Sequence, residues 1–218
     1  MAPKREDEQR LVLSSQTATH DAEGIYSSMR ILVCGGGALG SHALFMARDL
    51  EHELAVVDFD RVETKNLGSQ WFVKQMVGKN KATALKTQLL NFYDVKLQDY
   101  PIKLTSLNVE TLLGQAELVL DCFDNAESRR LVQDFVRARD KPCLHAGLAA
   151  LGEFGVVRWD EHFVVDEETV AGQATCEGRG FLPLILRVSS ALVASVQFFL
   201  TEKRRVNWNI SPRNAESF

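Results

Sequence analysis

Four groups of residues in this 218-residue chain have types and spacings suited to chemistry on a phosphate. Gly35, Gly37 and Gly40 keep a G-x-G-x-x-G interval, and Asp58 and Asp60 stand two positions apart in Asp58-Phe59-Asp60. Lys79 and Lys81 flank Asn80 in Gly78-Lys79-Asn80-Lys81, and Asp124-Asn125 close the run Leu118 to Asn125. Glycines at that interval let a backbone turn sharply and approach a phosphate, and an acid about twenty residues on can bind ribose hydroxyls. Lysines in a first helical turn oppose the helix dipole, so two of them there need a reason, and a phosphate is a good one. A carboxylate leaving a buried strand is placed to hold Mg2+ against phosphates; alternatively Asp124 or Asn125 is the N-cap of the next helix.

The glycine motif alone leaves the nucleotide open between NAD, FAD and ATP. Hydride transfer needs neither the lysine nor a magnesium ligand. Reaction at an ATP α-phosphate needs both kinds of charge, because negative charge on the phosphorus oxygens must be offset while pyrophosphate leaves. The chemistry therefore favours ATP. An NAD-dependent oxidoreductase is the alternative reading of the same opening motif, although nothing after Asp60 requires nicotinamide.

These residues need elements to hold them. Apolar, strand-like runs recur at Ile31–Cys34, Leu54–Val57, Pro101–Leu104, Leu118–Leu120 and Cys143–His145, with helical segments between them at Leu39–Leu50, Lys79–Phe92 and Ala126–Arg139 and a weaker one at Val109–Leu113. Strands alternating with helices predict a parallel, doubly wound α/β sheet with right-handed crossovers. After Gly147 the pattern changes. Gly152–Trp159 and His162–Val165 read as an antiparallel ribbon, followed by a polar loop from Asp166 to Arg179 and a long apolar helix between Phe181 and Leu200. The expected organisation is a flexible leader over 1–28, one domain over 29–206, and an extended or disordered tail over 207–218.

The bulk numbers exclude several classes. A net charge of −4 and a pI near 5.8 give no electrostatic case for nucleic acid or an anionic membrane. Lys203-Arg204-Arg205 reads as a helix C-terminus favoured by the dipole. The apolar run 181–200 is broken by Pro183, Arg187, Ser189, Ser190 and Gln197, so it reads as a buried amphipathic helix. Residues 1–28 are polar and mixed in charge, with no signal-peptide pattern, so a cytoplasmic, reducing compartment is expected. The four cysteines are scattered without a C-x-x-C pair, which removes a zinc site built on paired cysteines. Cys34, Cys122 and Cys143 read as small buried hydrophobes, whereas Cys176 sits in a polar loop before a helix, where a thiolate would be accessible.

From Met29 to Leu200 the chain resembles the ThiF/MoeB/HesA superfamily, bacterial relatives of ubiquitin-activating enzymes. The resemblance rests on Gly35–Gly40, Asp58-Phe59-Asp60, Asn66-Leu67, Gly78-x-x-Lys81, Asp121-Cys122-Phe123-Asp124-Asn125 with Arg129, and Thr175-Cys176, in that order. It implies a Rossmann-like, mostly parallel sheet flanked by helices, extended by antiparallel strands in its C-terminal third and usually dimeric. It also implies adenylation by MgATP of a C-terminal carboxylate, commonly that of a ubiquitin-like or sulfur-carrier protein, with release of pyrophosphate and in some members delivery to a conjugating enzyme. By that resemblance Gly35 and Gly37 approach the phosphates, with Gly40 completing the motif, and Asp58 binds the ribose with Asp60 beside it. Asn66 and Lys81 stabilise the phosphates and the attacked centre, Asp124 holds Mg2+ and Asn125 lies near the nucleotide. Arg129 supports the same site or forms a salt bridge on its own helix. Cys176 accepts the acyl group or joins persulfide chemistry in some members, and other members adenylate without it.

Two departures bear on activity. Ser69 stands where the family often has an arginine, and the upstream arginine that reaches a partner subunit's site has no clear counterpart in residues 1–28, although Arg10 is a candidate. Losing two guanidiniums removes bidentate stabilisation of the leaving pyrophosphate unless Arg61 or a partner supplies it. A degenerate binding or scaffold subunit of an activating-enzyme complex is therefore a second reading. The paired zinc cysteines of larger members are also missing, so a minimal version is expected.

Overall fold

The computed structural model describes residues 28–149, 151–165 and 180–218. Arg10 and the rest of the expected leader up to residue 27, together with Thr175 and Cys176, lie outside these residues. The described chain forms one eight-stranded sheet in the order β3-β2-β1-β4-β5-β6-β7-β8. The strands are β1 (Arg30–Cys34), β2 (Glu53–Val57), β3 (Leu97–Tyr100), β4 (Leu118–Asp121), β5 (Cys143–Leu148), β6 (Gly155–Trp159), β7 (Trp208–Ile210) and β8 (Ala215–Ser217). The first five run parallel, with Ile31 beside Leu54 and Leu118, and the last three are added antiparallel.

Alternation along the strands sends side chains to two cores. Ile31, Val33, Leu54, Val56, Leu118 and Leu120 face one cluster, which contains α1 (Ala38–Met46), α2 (Lys81–Tyr93) and α5 (Leu182–Glu202). Leu32, Cys34, Ala55, Val57 and Val119 face the other, which contains α3 (Val109–Leu113) and α4 (Ala126–Ala138). A sheet covered on both faces explains why these strands read as continuous apolar runs.

The long helix α5 is apolar and long enough to cross a bilayer. Its Ile185, Val188 and Leu192 are nonetheless buried against the sheet, and Ser189 Oγ donates to the Leu39 carbonyl of α1 at 3.1 Å. This is the packing of a core helix, as the sequence pattern predicts.

Two expectations are corrected. The third strand is Leu97–Tyr100, not Pro101–Leu104: Leu97 pairs with Leu54, while Pro101 has no N–H for a ladder and Leu104 instead packs from a loop under α3 and α4. Residues 162–165 are not a strand. The chain turns through a short 3-10 helix, Asp160–His162, and the free edge of β6 is taken by β7. Of the two alternatives for the tail, extended or disordered, the structure shows the extended one, with β7 and β8 forming a hairpin through Ser211–Asn214.

Candidate functional site

The glycine segment joins β1 to α1, and its glycines have separate duties. Gly35 has φ +95°, its N–H donates to the Val57 carbonyl at 2.9 Å, and a Cβ there would lie 3.0 Å from the Cys122 carbonyl oxygen. At Gly40 a Cβ would lie 1.9 Å from the Gly35 oxygen, so the helix can pack on the turn only as glycine. Gly37 differs from both: it is the N-cap of α1, nothing lies within 4 Å of where its Cβ would be, and no side chain caps the helix. No acid occupies the first turn of α1. Its leading N–H groups are therefore unpaired by side chains and open to an anion. Gly36 N–H is already used, donating to Asp58 Oδ2 at 2.7 Å.

Asp58 follows the end of β2 and is only 6% exposed. Its other oxygen accepts the Asp60 N–H at 2.7 Å. Burial raises its pKa, against the opposing pull of Lys81 and the two N–H donors. Each carboxylate oxygen keeps a second lone pair for a ligand hydroxyl.

Lys81 is brought in by a clip between residues 60–62 and 78–81. Val62 N–H donates to Lys79 O, Gly78 N–H to Val62 O and Lys81 N–H to Asp60 O, each at 2.8 Å. Asn80 caps α2 by accepting the Thr83 N–H, and its Nδ2 donates to the Asp58 carbonyl at 2.9 Å. Only Lys81 therefore lies in the first helical turn, and Lys79 precedes the cap, which corrects the expectation of two lysines there. Lys81 Nζ is 3.0 Å from Asp60 Oδ2. Burial would lower its pKa, but Asp58, Asp60 and Asp124 together raise it and keep the ammonium charged. The charges of β2, α2 and β4 thus meet around one buried nitrogen.

Asp124 is exposed beyond β4, and Asn125 caps α4, its side chain accepting the Ser128 N–H at 2.9 Å. Of the alternatives that the sequence leaves open for the pair, the cap falls to Asn125. An exposed carboxylate of this kind is chemically able to bind Mg2+, which commonly takes one or two carboxylates plus substrate phosphates. Among the described residues no group of three or more acids, histidines or cysteines could form a protein-only metal cage.

Other expected residues are committed elsewhere. Asn66 is buried, its Oδ1 accepting the Glu63 N–H at 2.8 Å in a capping box. Arg129 does not pair along its own helix: it lies 3.3 Å from Asp121 of β4 and donates to the Ala146 carbonyl at 2.7 Å. Ser69 is buried and its carbonyl faces His42 Nε2 at 3.1 Å. Arg61 donates to the Gly78 carbonyl at 2.6 Å. Burial pushes the thiols of Cys34, Cys122 and Cys143 well up, as suits small core residues.

A cluster that the sequence reading passes over lies below Asp124. His145 and Asp121 are fully buried and 2.8 Å apart, and His145 also reaches Asp160 at 3.2 Å. Its trace in the sequence is two ionisable residues, Asp121 and His145, in otherwise apolar strands.

The family model for the ThiF family matches residues 10–204. The chain belongs to the ThiF family. Among curated ThiF-family relatives, the adenylyltransferase and sulfurtransferase UBA4 of Lodderomyces elongisporus is 34% identical over 139 residues, covering 62% of this chain and 30% of its own length. The sulfur carrier protein adenylyltransferase of Thermus thermophilus is 32% identical over 121 residues, covering 54% and 45%. The sulfur carrier protein ThiS adenylyltransferase of Bacillus subtilis is 28% identical over 186 residues, covering 79% and 54%. The chain thus matches about a third to a half of the length of these relatives. In fold it is similar to the crystal structure of E. coli MccB with ATP, with a TM-score of 0.70 at 17% identity over 87% of this chain and 62% of that one. The mixed sheet found here is the architecture that the ThiF resemblance implies.

Proposed function

We propose that this protein is an adenylyltransferase that uses ATP to activate a C-terminal carboxylate, that of a ubiquitin-like or sulfur-carrier protein. The observation that carries the proposal is Lys81, a buried ammonium set among Asp58, Asp60 and Asp124 beside the uncapped start of α1. A redox dinucleotide gives that ammonium and Asp124 nothing to do. The relatives named as adenylyltransferases support the same reading.

In this reading the phosphates lie over Gly37 and the first N–H groups of α1, and Asp58 takes the ribose hydroxyls. The partner's carboxylate oxygen attacks the α-phosphorus, forming a new P–O bond while the bond to the bridging oxygen breaks and pyrophosphate leaves with the electron pair. Lys81 offsets the charge that gathers on the phosphoryl oxygens. Mg2+, held by Asp124, would neutralise charge on the phosphates. Asn66 and Asn125 act by shaping the turns on either side of the nucleotide, and Arg129 acts from behind the site. Cys176, in a polar stretch of the sequence, is the proposed acceptor in any following thioester or sulfur-transfer step. The proposed adenylation domain runs from 29 to 206 and works in the cytoplasm as a dimer or paired with a related chain; 207–218 pair onto its sheet. ATP–pyrophosphate exchange stimulated by a carrier protein tests the reading, with Asp124→Ala expected to abolish it. Exchange that no C-terminal carboxylate stimulates overturns it.

Ser69 favours a second reading. Its buried position supplies no cation to the leaving group, and Arg61 is tied to Gly78. A scaffold subunit would bind MgATP only with a second, complete chain, which equilibrium binding to the purified protein decides.

A further inference from the structure

Beneath Asp124 lies a clasp of charge. His145 Nδ1 is 2.8 Å from Asp121 Oδ2, and its Nε2 is 3.2 Å from Asp160 Oδ1. Both ring nitrogens face carboxylates, and a neutral imidazole has only one N–H to give, so this geometry suits the cation. Phe163 stacks flat on the ring, with centroids 4.2 Å apart and 5° between planes.

The groups around this histidine come from every neighbouring element. On β4, Asp121 also accepts the Phe123 N–H at 3.1 Å, and Cys122 is buried beside it. On α4, Arg129 pairs with Asp121, while Gln133 and Arg137 donate to Asp160 at 3.0 and 2.8 Å and also to the Phe163 carbonyl. On β6, Arg158 stands opposite His145, but its guanidinium turns away to the Trp208 carbonyl and Asn209. Cys34 of β1 and Cys143 of β5 complete the floor as buried neutral thiols.

One end of the clasp grips the nucleotide site. Asp121 holds the turn through Phe123 that delivers Asp124 and Asn125, and the neighbouring Cys122 carbonyl is the atom against which Gly35 packs. The other end holds Asp160 and Phe163, which lead directly into 166–179, the stretch of sequence that contains Cys176. Burying this many charges carries a desolvation cost that their attraction must first offset, so a plain apolar core would serve packing better. We propose that His145, clasped between Asp121 and Asp160, is a positioning residue that ties the turn bearing Asp124 to the chain entering 166–179. This rests on the adenylyltransferase reading for the meaning of Asp124, but the clasp itself does not.

The deciding experiment therefore has one arm with nucleotide and one without. Hydrogen exchange of peptides covering 121–125 and 160–165 is followed across pH in wild type, His145→Gln and Asp160→Asn, and MgATP binding is titrated in the same samples. Asp160 is at the rim, so Asp160→Asn guards against a His145 variant that fails to fold. Both peptides should lose protection together in the variants, and in wild type as pH rises above the range in which His145 is charged, while peptides of β2 stay protected. MgATP affinity should fall about tenfold or more in the variants, the size seen when groups behind a metal ligand are removed. Unchanged exchange in either peptide overturns the clasp. Changed exchange with unchanged MgATP affinity overturns the positioning role. If wild type binds no MgATP while both peptides respond, the nucleotide reading fails, and with it the link to Asp124, leaving a structural clasp alone.

Discussion

The charges around Lys81 and those around His145 both gather at the carboxyl ends of strands, yet they are finished to different degrees. Asp124 is exposed, Asp60 is half open to solvent and Asp58 keeps spare lone pairs. Around His145 the carboxylates of Asp121 and Asp160 are taken up by the ring nitrogens, two arginines, a glutamine and a backbone N–H. A cluster with unused valence is built for something that arrives, and a cluster with none is built to hold its own chain. The distinction predicts which substitutions cost function and which cost the fold.

The largest effect should come from the open cluster. Asp124→Ala and Lys81→Ala are expected to lower ATP–pyrophosphate exchange by about a hundredfold or more, with Asp124→Ala leaving the melting temperature unchanged because that side chain is exposed. A large loss of stability in Asp124→Ala would erase the contrast between the clusters. Next come the glycines. Gly40→Ala must push a methyl into the Gly35 carbonyl, for a loss of roughly 3 kcal/mol, seen as a lower Tm. Gly37→Ala meets open space, so its stability cost should be about 1 kcal/mol or less while MgATP affinity falls. Equal Tm shifts for the two would mean that the open face over Gly37 is not open.

The closed cluster should show itself in the pH dependence of stability. Its carboxylates raise His145 above the ordinary value of 6.5, against the lowering effect of burial. That stabilisation is full below 6.5 and is lost as pH rises through the folded value. Asp160 resists the raising effect of burial and is held down to about 2 by His145, Arg137 and Gln133, so its contribution is present above the ordinary carboxylate value and lost as pH falls toward about 2. Chemical denaturation from about pH 4 to about pH 9 should show a plateau that declines on the alkaline side, and His145→Gln should flatten that decline. The smallest effect is expected at Arg139–Glu110, an ion pair exposed on both sides, where Glu110→Gln should cost less than about 0.5 kcal/mol.

The open cluster was legible because each member carries a mark of its own: glycine spacing, paired acids at a strand end, a lysine against the helix dipole. The sheet was legible for a related reason, since Ile31–Cys34 and Leu118–Leu120 are too short and apolar to be anything but buried strands. The third strand was misplaced because Pro101-Ile102-Lys103-Leu104 is the more apolar run, whereas the true strand Leu97-Gln98-Asp99-Tyr100 carries two polar residues, and only the missing N–H of Pro101 argued against the first. The strands of 208–217 were hidden because they lie at the sheet edge, where polar residues such as Asn209 and Glu216 are tolerated. The clasp was hidden because its members lie up to 39 residues apart, from Asp121 to Asp160, and an ionisable residue in one apolar strand does not say which residue in another it meets.

The strand order also bears on how this protein is made. From β4 onward, position in the sheet follows position in the chain, each new strand joining the edge left by the one before. Emerging from a ribosome, the segment to Tyr100 can pair β1, β2 and β3, and each later strand finds its template already laid down. Growth by accretion of this kind leaves two strands waiting for a distant partner: β1, which must meet β4 across the whole of α1 to α3, and β6, whose free edge is taken by β7 only after α5. The first of these closures brings Cys122 beside the glycine turn, so that end of the sheet takes its final form only once β4 has been made.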